Sequence, residues 1–110
     1  MAFRTEFSER AVADLDEILR YMCEDLCNHQ AAERFFLTVN EKLELIGENP
    51  YMYPLHHDEK LNAEGYRFVV VENYLLFYVL SDVDSVASTV RIVYGGRDFS
   101  AVFQMQDEGR

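Results

Sequence analysis

Cysteine, long apolar runs and basic residues are all scarce in this sequence. Two cysteines in 110 residues, Cys23 and Cys27, are too few for a disulfide scaffold. No apolar run is long enough to cross a bilayer, and the first residues lack the apolar core of a secretory signal. We therefore expect a cytoplasmic protein without a membrane partner. Twenty acidic residues against ten basic ones give a net charge of −10, which argues against binding nucleic acid through a general electrostatic field.

Several catalytic signatures are also missing from the chain. The sequence has no glycine-rich phosphate loop, no Ser-His-Asp order and no H-E-x-x-H pattern. Cys23 and Cys27, with His29 nearby, provide too few ligands for a zinc site. We therefore interpret the two cysteines as half-buried helix thiols rather than as metal ligands. The adjacent His56 and His57 are interpreted as solvated loop residues rather than ligands. We expect no cofactor and no metal.

The residues that are present fit a single domain over residues 1–110. Hydrophobic residues make up 49% of the chain, which is typical of a globular protein with one core. The pattern predicts a strand over Ala2 to Phe7, a helix capped by Ser8, and a second helix that begins at Asn28 and stops near Gly47. The apolar stripes of these two helices are Ala11, Leu15, Ile18, Met22 and Leu26 in the first, and Ala32, Phe36, Val39, Leu43 and Ile46 in the second.

Strand-like composition dominates the second half. The run Gly65 to Val79 predicts two strands joined by a tight turn at Glu72-Asn73, and Thr89 to Tyr94 predicts a third, with Val90 and Ile92 on one face. Asp98 to Phe103 predicts a short helical turn. We therefore expect an α+β fold in the order β-α-α-β-β-β, with a twisted, mainly antiparallel sheet and a two-helix hairpin on one face.

A single arginine interrupts the first hydrophobic strand. Arg67 is the only charged residue in the stretch from Tyr66 to Val71, so it must reach water, pair with an acid or serve a binding surface. We expect Arg67 and the long irregular segment from Tyr51 to Glu64 on the sheet face opposite the helices, or at the sheet edge. Loops of this length on a rigid scaffold often carry function.

A series of short motifs follows the same order along nearly the whole chain. The first helix has the pattern S-x-x-A-x-x-D-L-x-x-I, the second has A-x-x-F and ends at N-P, and the strands have G-Y-R, N-Y-L-x-F-Y and R-I-x-Y-G-x-R-D. The residues are Ser8, Ala11, Asp14, Leu15, Ile18, Ala32, Phe35, Asn49-Pro50, Gly65-Tyr66-Arg67, Asn73 to Tyr78, and Arg91 to Asp98. This ordered set resembles the RelE/ParE superfamily of type II toxin–antitoxin toxins.

The resemblance implies a cognate antitoxin protein as partner and two alternative activities. RelE-like members cut ribosome-bound mRNA without a metal, through attack of the 2′-hydroxyl on the neighbouring phosphate, which needs a base, a charge stabiliser and an acid. ParE-like members instead bind DNA gyrase and perform no chemistry. A degenerate member that only binds antitoxin is a third alternative, and the fold does not choose among the three.

The ribonuclease alternative names five candidate site residues. By resemblance Arg67 matches the arginine that contacts the scissile phosphate, and Tyr94 lies where some members place an acid–base group. Arg97 is a second candidate phosphate clamp, and Glu59 and Lys60 could act as base and charge stabiliser if they fold over Arg67.

Each of these residues also has a structural interpretation. Arg67 could pair with Glu59, Glu72 or Asp98. Tyr94 could be a packing residue on the sheet, and Arg97 could form a local ion pair with Asp98.

Overall fold

The structure, a computed structural model, describes residues 2–95 and has an α+β fold. Its elements in chain order are β1 (Arg4–Phe7), α1 (Glu9–Arg20), a π-helical turn (Tyr21–Asp25), α2 (His29–Glu48), α3 (Glu59–Ala63), β2 (Arg67–Val71), β3 (Tyr74–Ser81) and β4 (Val86–Tyr94). The strand order is β1-β4-β3-β2, with β1 parallel to β4 and the other pairs antiparallel. The predicted mainly antiparallel sheet is confirmed, and the helical turn predicted at residues 98–103 lies outside the described residues.

Side-chain caps fix where both long helices begin. The Ser8 hydroxyl accepts a hydrogen bond from the Ala11 N–H at 3.0 Å, and the Asn28 side chain accepts one from the Ala31 N–H at 3.0 Å. Each cap satisfies a backbone donor that the first helical turn leaves without a partner. Both N-terminal boundaries therefore follow from local sequence, as predicted.

The end of the first helix differs from the prediction. The N–H of Leu26 donates to the carbonyl of Tyr21, five residues back, so the chain rotates less per residue than in an α-helix. This π-helical turn carries Leu26 off the apolar stripe, and its side chain is exposed. The prediction that Leu26 faces the core is therefore wrong. The chain then leaves the turn through Cys27, which has a positive φ of 50°.

The main core lies between the helix hairpin and one face of the sheet. On the helices it contains Ile18, Met22, Ala32, Phe35, Val39 and Ile46, and on the strands Val69, Val71, Leu76, Tyr78, Ala87 and Ile92. The stripe predicted for α2 is correct except at Phe36, which is 45% exposed while Phe35 is fully buried. The helix has turned so that Phe35 meets the Tyr74 ring, with centroids 5.2 Å apart, and this contact leaves Phe36 at the margin.

A β-bulge changes which residues of β4 share a face. Tyr78 pairs with Thr89, but its neighbour Phe77 pairs with Arg91, so Val90 is an extra residue in β4. Val90 packs with the cluster around Phe77, whereas Ile92 belongs to the main core. The prediction that Val90 and Ile92 lie on one face is therefore wrong. The bulge arises from the pairing of β4 with β3. The alternation of residue types within β4 therefore does not predict it.

The other face of the sheet is covered by the segment after α2. Leu61 of α3 is fully buried against Phe77 and Val93. The sequence predicts only irregular structure here, but the Asp58 carboxylate accepts hydrogen bonds from the N–H groups of Lys60 and Leu61 and so starts a five-residue helix. Within residues 2–95, no helix is long and apolar enough to cross a membrane.

His56 is a buried part of this second face, contrary to its interpretation as a solvated loop residue. Its side chain is 3% exposed and contacts the rings of Phe68 and Phe77 at centroid distances of 5.1 and 5.4 Å. The Nδ1 atom accepts a hydrogen bond from the Asp58 N–H at 3.0 Å, which the protonated ring cannot do. Burial, reinforced by His57, lowers the pKa of His56 below its usual 6.5, although Asp58 opposes the shift.

This burial makes stability depend on pH. The folded state holds His56 neutral, so the unfolded state binds the extra proton as the pH falls below about 6.5, and the free energy of unfolding decreases through that range. We expect His56→Gln to remove this part of the decrease between about pH 7.5 and about pH 5 in urea titrations. The exposed His29 offers a matched control, and equal pH dependence in H56Q and H29Q would contradict the prediction.

Candidate functional site

Arg67 lies at the start of β2, on the helix-facing side of the sheet. It alternates with Val69 and Val71, which are in the main core, and it stands opposite Tyr78 of β3. Its Nη1 donates to the Tyr53 carbonyl at 2.7 Å, and its guanidinium lies 5.0 Å from the centroid of the Tyr51 ring. Of the two positions expected for Arg67, the face opposite the helices is wrong and the sheet edge is correct, because β2 is an edge strand. Strand alternation decides the face, since both neighbours at i+2 and i+4 are core residues.

The Arg67 environment explains how a charge fits into this strand. Guanidinium contact with a tyrosine face and a hydrogen bond to a carbonyl both stabilise the cation. Within residues 2–95, Arg67 forms no ion pair with Glu59 or Glu72, and Asp98 lies outside that range. The tyrosines Tyr51 and Tyr53 of the segment after α2 thus supply the partners that the sequence suggested would be acids.

The phenols around Arg67 are held in their protonated form. The Tyr51 hydroxyl donates to the Asp82 carboxylate, and this hydrogen bond raises the pKa of Tyr51. Burial raises the pKa of Tyr78 to about 12, and its hydroxyl donates to the Pro50 carbonyl at 2.9 Å. Neither group is an efficient general base at neutral pH, because each would have to lose a proton that its surroundings retain.

Tyr94 lies well apart from Arg67, two strands across the sheet and four residues further along it. Tyr94 is level with Tyr74, whereas Arg67 is level with Tyr78, and these two β3 residues are separated by about 13 Å along the strand. The exposed Tyr94 ring meets the Tyr74 ring edge-on at 5.8 Å. The structure therefore does not bring Arg67 and Tyr94 to one phosphate.

The other candidates are also apart from Arg67. Glu59 and Lys60 form the exposed start of α3, whose Leu61 packs on the sheet face opposite the Arg67 side chain. They do not fold over Arg67. Arg97 lies outside the described residues.

Tyr94 borders a groove of about 720 Å³ between α1, the π-helical turn and the end of β4. Three tyrosines, Tyr21, Tyr74 and Tyr94, line it, and Arg10 and Arg20 stand at its rim together with Glu17. Tyr21 is exposed because the π-helical turn presents it there. Large aromatic rings beside mixed charges are typical of a protein-binding surface.

A buried ion pair forms the floor of this groove. Asp14 and Arg91 are 6% and 4% exposed, and the Asp14 carboxylate accepts from Arg91 Nε at 2.7 Å and Nη2 at 3.2 Å. The same carboxylate accepts from the Ile92 N–H at 3.0 Å, and the Ser8 hydroxyl donates to the Val90 carbonyl at 3.1 Å. These contacts provide hydrogen-bond partners for backbone groups of β4 beyond Thr89, where the pairing with β1 ends.

The sequence interpretation missed this pair, although a signal was present. Asp14 lies three residues after Ala11 and four before Ile18, which is the spacing of the core stripe of α1. A carboxylate at such a position needs a buried cation, and Arg91 in the last strand is that cation. Only the packing of α1 on β4 brings the two together.

Comparison with known proteins relates this fold to toxins. A family model described as "ParE toxin of type II toxin-antitoxin system, parDE" matches residues 5–99. A structure from the chromosomal ParDE toxin–antitoxin system of P. aeruginosa is 16% identical, with a TM-score of 0.67 over 84% of this chain and 96% of that chain. A mutant of the E. coli toxin RelE in the free state is 17% identical, with a TM-score of 0.63 over 94% and 93%. The intact E. coli RelBE toxin–antitoxin complex gives 17% identity and a TM-score of 0.58 over 87% and 100%. No curated protein sequence matches the chain significantly.

Proposed function

We propose that this chain, which belongs to the ParE toxin family of type II toxin–antitoxin systems, arrests growth by binding DNA gyrase rather than by cutting mRNA. A cognate antitoxin protein is its natural inhibitor, a proposal supported by the similar structures from a ParDE system and a RelBE complex. Because those structures are under 25% identical, they support the fold, and the activity is argued from the placement of this chain's own residues.

One observation carries the choice of a binding function. The groups that a metal-independent ribonuclease would need do not meet within residues 2–95: Arg67 and Tyr94 lie two strands apart and about 13 Å apart along the strand direction, and Glu59 lies with α3 on the other face. Acid–base catalysis of a phosphoryl transfer requires these groups to reach one phosphate within hydrogen-bond distance. A non-enzymatic inhibitor has no such requirement.

The groove beside Tyr94 is the proposed contact with gyrase. Its exposed rings, Tyr21 and Tyr94, are residues of the type that dominates binding energy at protein interfaces. The buried pair of Asp14 and Arg91 holds the groove wall rigid, because it ties α1 to β4 directly beneath the tyrosines. A rigid aromatic surface loses little conformational entropy on binding.

The ribonuclease remains a second candidate because of Arg67. The side chain is partly exposed, and within residues 2–95 only its Nη1 makes a hydrogen bond, so the rest of the guanidinium fork is available for a phosphate. Arg67→Lys separates the two candidates, since lysine keeps the charge but not the fork. Reduced mRNA cleavage in this variant would favour the ribonuclease, whereas unchanged toxicity favours gyrase binding.

A supercoiling assay tests the proposal. We expect the purified chain to inhibit supercoiling by bacterial DNA gyrase and to leave in vitro translation unaffected at the same concentration. Tyr94→Ala should weaken inhibition by about tenfold or more, as loss of an interface hot spot does. Val83→Ala is a matched control, because Val83 is 95% exposed and far from the groove in sequence and fold. Inhibited translation with normal supercoiling would reverse the assignment.

A further inference from the structure

The outer face of α2 combines exposed apolar side chains with carboxylates that form no ion pair within residues 2–95. Leu37 is 58% exposed, and the neighbouring Phe36 is exposed as well, although both are large hydrophobic residues on a regular helix. We define the α2 outer stripe as the exposed residues Glu33, Leu37, Glu41, Glu44 and Glu48, which recur at helical spacing. An apolar centre flanked by charge of one sign is the pattern of a docking surface.

The stripe is strongly negative and lacks internal compensation. Glu41 and Glu44 are three residues apart, and Glu44 and Glu48 are four apart, so like charges face one another along the helix. Within residues 2–95, none of the stripe's four carboxylates takes part in an ion pair. The neighbouring Arg34 is instead paired with Glu72 of the β2–β3 turn, with Nε 3.6 Å from Oε2.

A shallow depression of about 410 Å³ lies across this stripe. It is lined by Gln30, Glu33, Arg34, Leu37, Thr38 and Glu41. Leu37 therefore lies in a concave part of the surface, where a single apolar side chain from a partner can be received. The groove beside Tyr94 shares no lining residue with this depression, so both surfaces can be occupied by different proteins.

We propose that the α2 outer stripe receives a cationic amphipathic segment of the antitoxin, with an apolar side chain against Leu37 and Phe36 and Lys or Arg opposite the four carboxylates. This inference rests on the proposed toxin–antitoxin function and specifies the chemistry of the partner. Charge complementarity supports this proposal. A neutral segment would leave the repulsion among the carboxylates uncompensated, and an acidic segment would add further negative charge. A net charge of −10 for the whole chain also steers a cationic segment toward it.

Binding measurements with charge-reversal variants test the surface. The probe is a purified cognate antitoxin, to be sought as the product of a small reading frame next to this chain's gene, titrated against the full chain in about 0.1 M and about 1 M salt, where the Debye length is about 10 and about 3 Å. We expect Glu33→Lys with Glu41→Lys to weaken binding roughly tenfold at the lower salt, mainly through a slower on-rate. The same pair of changes should reduce the loss of affinity that added salt causes.

Matched variants separate this surface from general charge effects. Glu6→Lys with Glu64→Lys changes the net charge equally at two exposed sites away from α2 and should alter affinity by less than about twofold. Leu37→Ala should weaken binding, while the control Val83→Ala should not. A stable complex whose affinity is the same in the reversed and control variants overturns the surface assignment alone. If no complex forms, both this inference and the proposed antitoxin partnership are overturned, whereas gyrase inhibition stands as an independent result.

Discussion

Replacing Asp14 with alanine is expected to lower the free energy of unfolding by about 3–5 kcal/mol, because it leaves the Arg91 guanidinium buried without its counter-charge. Both side chains are at least nine-tenths buried, and the Asp14 carboxylate receives hydrogen bonds from Arg91 and from the Ile92 N–H. The change therefore also orphans a backbone donor of β4. Urea unfolding followed by circular dichroism measures the difference.

Two further variants show whether burial is the cause. Asp16 makes an equally short contact with Arg20, 2.7 Å, but both side chains are about 60% exposed, so Asp16→Ala should change stability by less than about 0.5 kcal/mol. Combining Asp14→Leu with Arg91→Met removes both charges and should recover part of the loss, since an apolar pair needs no counter-charge. A loss below about 1 kcal/mol for Asp14→Ala would show that the pair is hydrated in solution.

The second large effect distinguishes two adjacent phenylalanines. Phe35→Ala is expected to cost about 3–5 kcal/mol, because the side chain is fully buried between α2 and the sheet and its ring contacts Tyr74. Phe36→Ala should cost less than about 1 kcal/mol, because Phe36 is 45% exposed and belongs to no core cluster among the described residues. The two variants remove the same atoms from neighbouring positions, so each is the control for the other.

The outcome tests the rotation of α2 about its axis. If Phe36→Ala were the more damaging change, the helix would present the stripe predicted from sequence and not the one that the structure describes. Phe36→Ala should instead affect antitoxin binding, as expected for a residue beside the α2 outer stripe. Measuring stability and affinity on the same two variants separates a folding role from a binding role.

Much of the fold follows from local sequence. The caps at Ser8 and Asn28, the helical spacing of apolar residues and the β-branched run from Val69 to Val71 each act over a few residues, so their structural effect is present in the sequence itself. The same holds for the tight turn at Glu72, whose positive φ of 55° completes the predicted hairpin. The types and order of the four strands and the two long helices are therefore predictable without tertiary information, although the sequence interpretation did not include α3 or the π-helical turn.

The candidate site is much less predictable from the sequence. The motifs name Arg67 and Tyr94 but give no distance between them, and strand pairing places them two strands apart and four residues apart along the sheet. The burial of Asp14 depends on the packing of α1 against β4, and these two elements come from opposite halves of the sequence. Contacts of such long sequence separation are formed by packing, and no local pattern encodes their geometry.

The sequence by itself determined the α+β class, the order of the strands and the two long helices, the starts of those helices and the resemblance that led to the toxin family. The tertiary structure alone decided that Phe35 and not Phe36 is buried, that Arg67 meets tyrosines rather than an acid, and that Asp14 anchors Arg91. The physical reason is the range of the interactions. Capping, turn geometry and periodicity act between near neighbours, whereas helix rotation, bulges and buried ion pairs are settled only when separate elements compete for the same close-packed space.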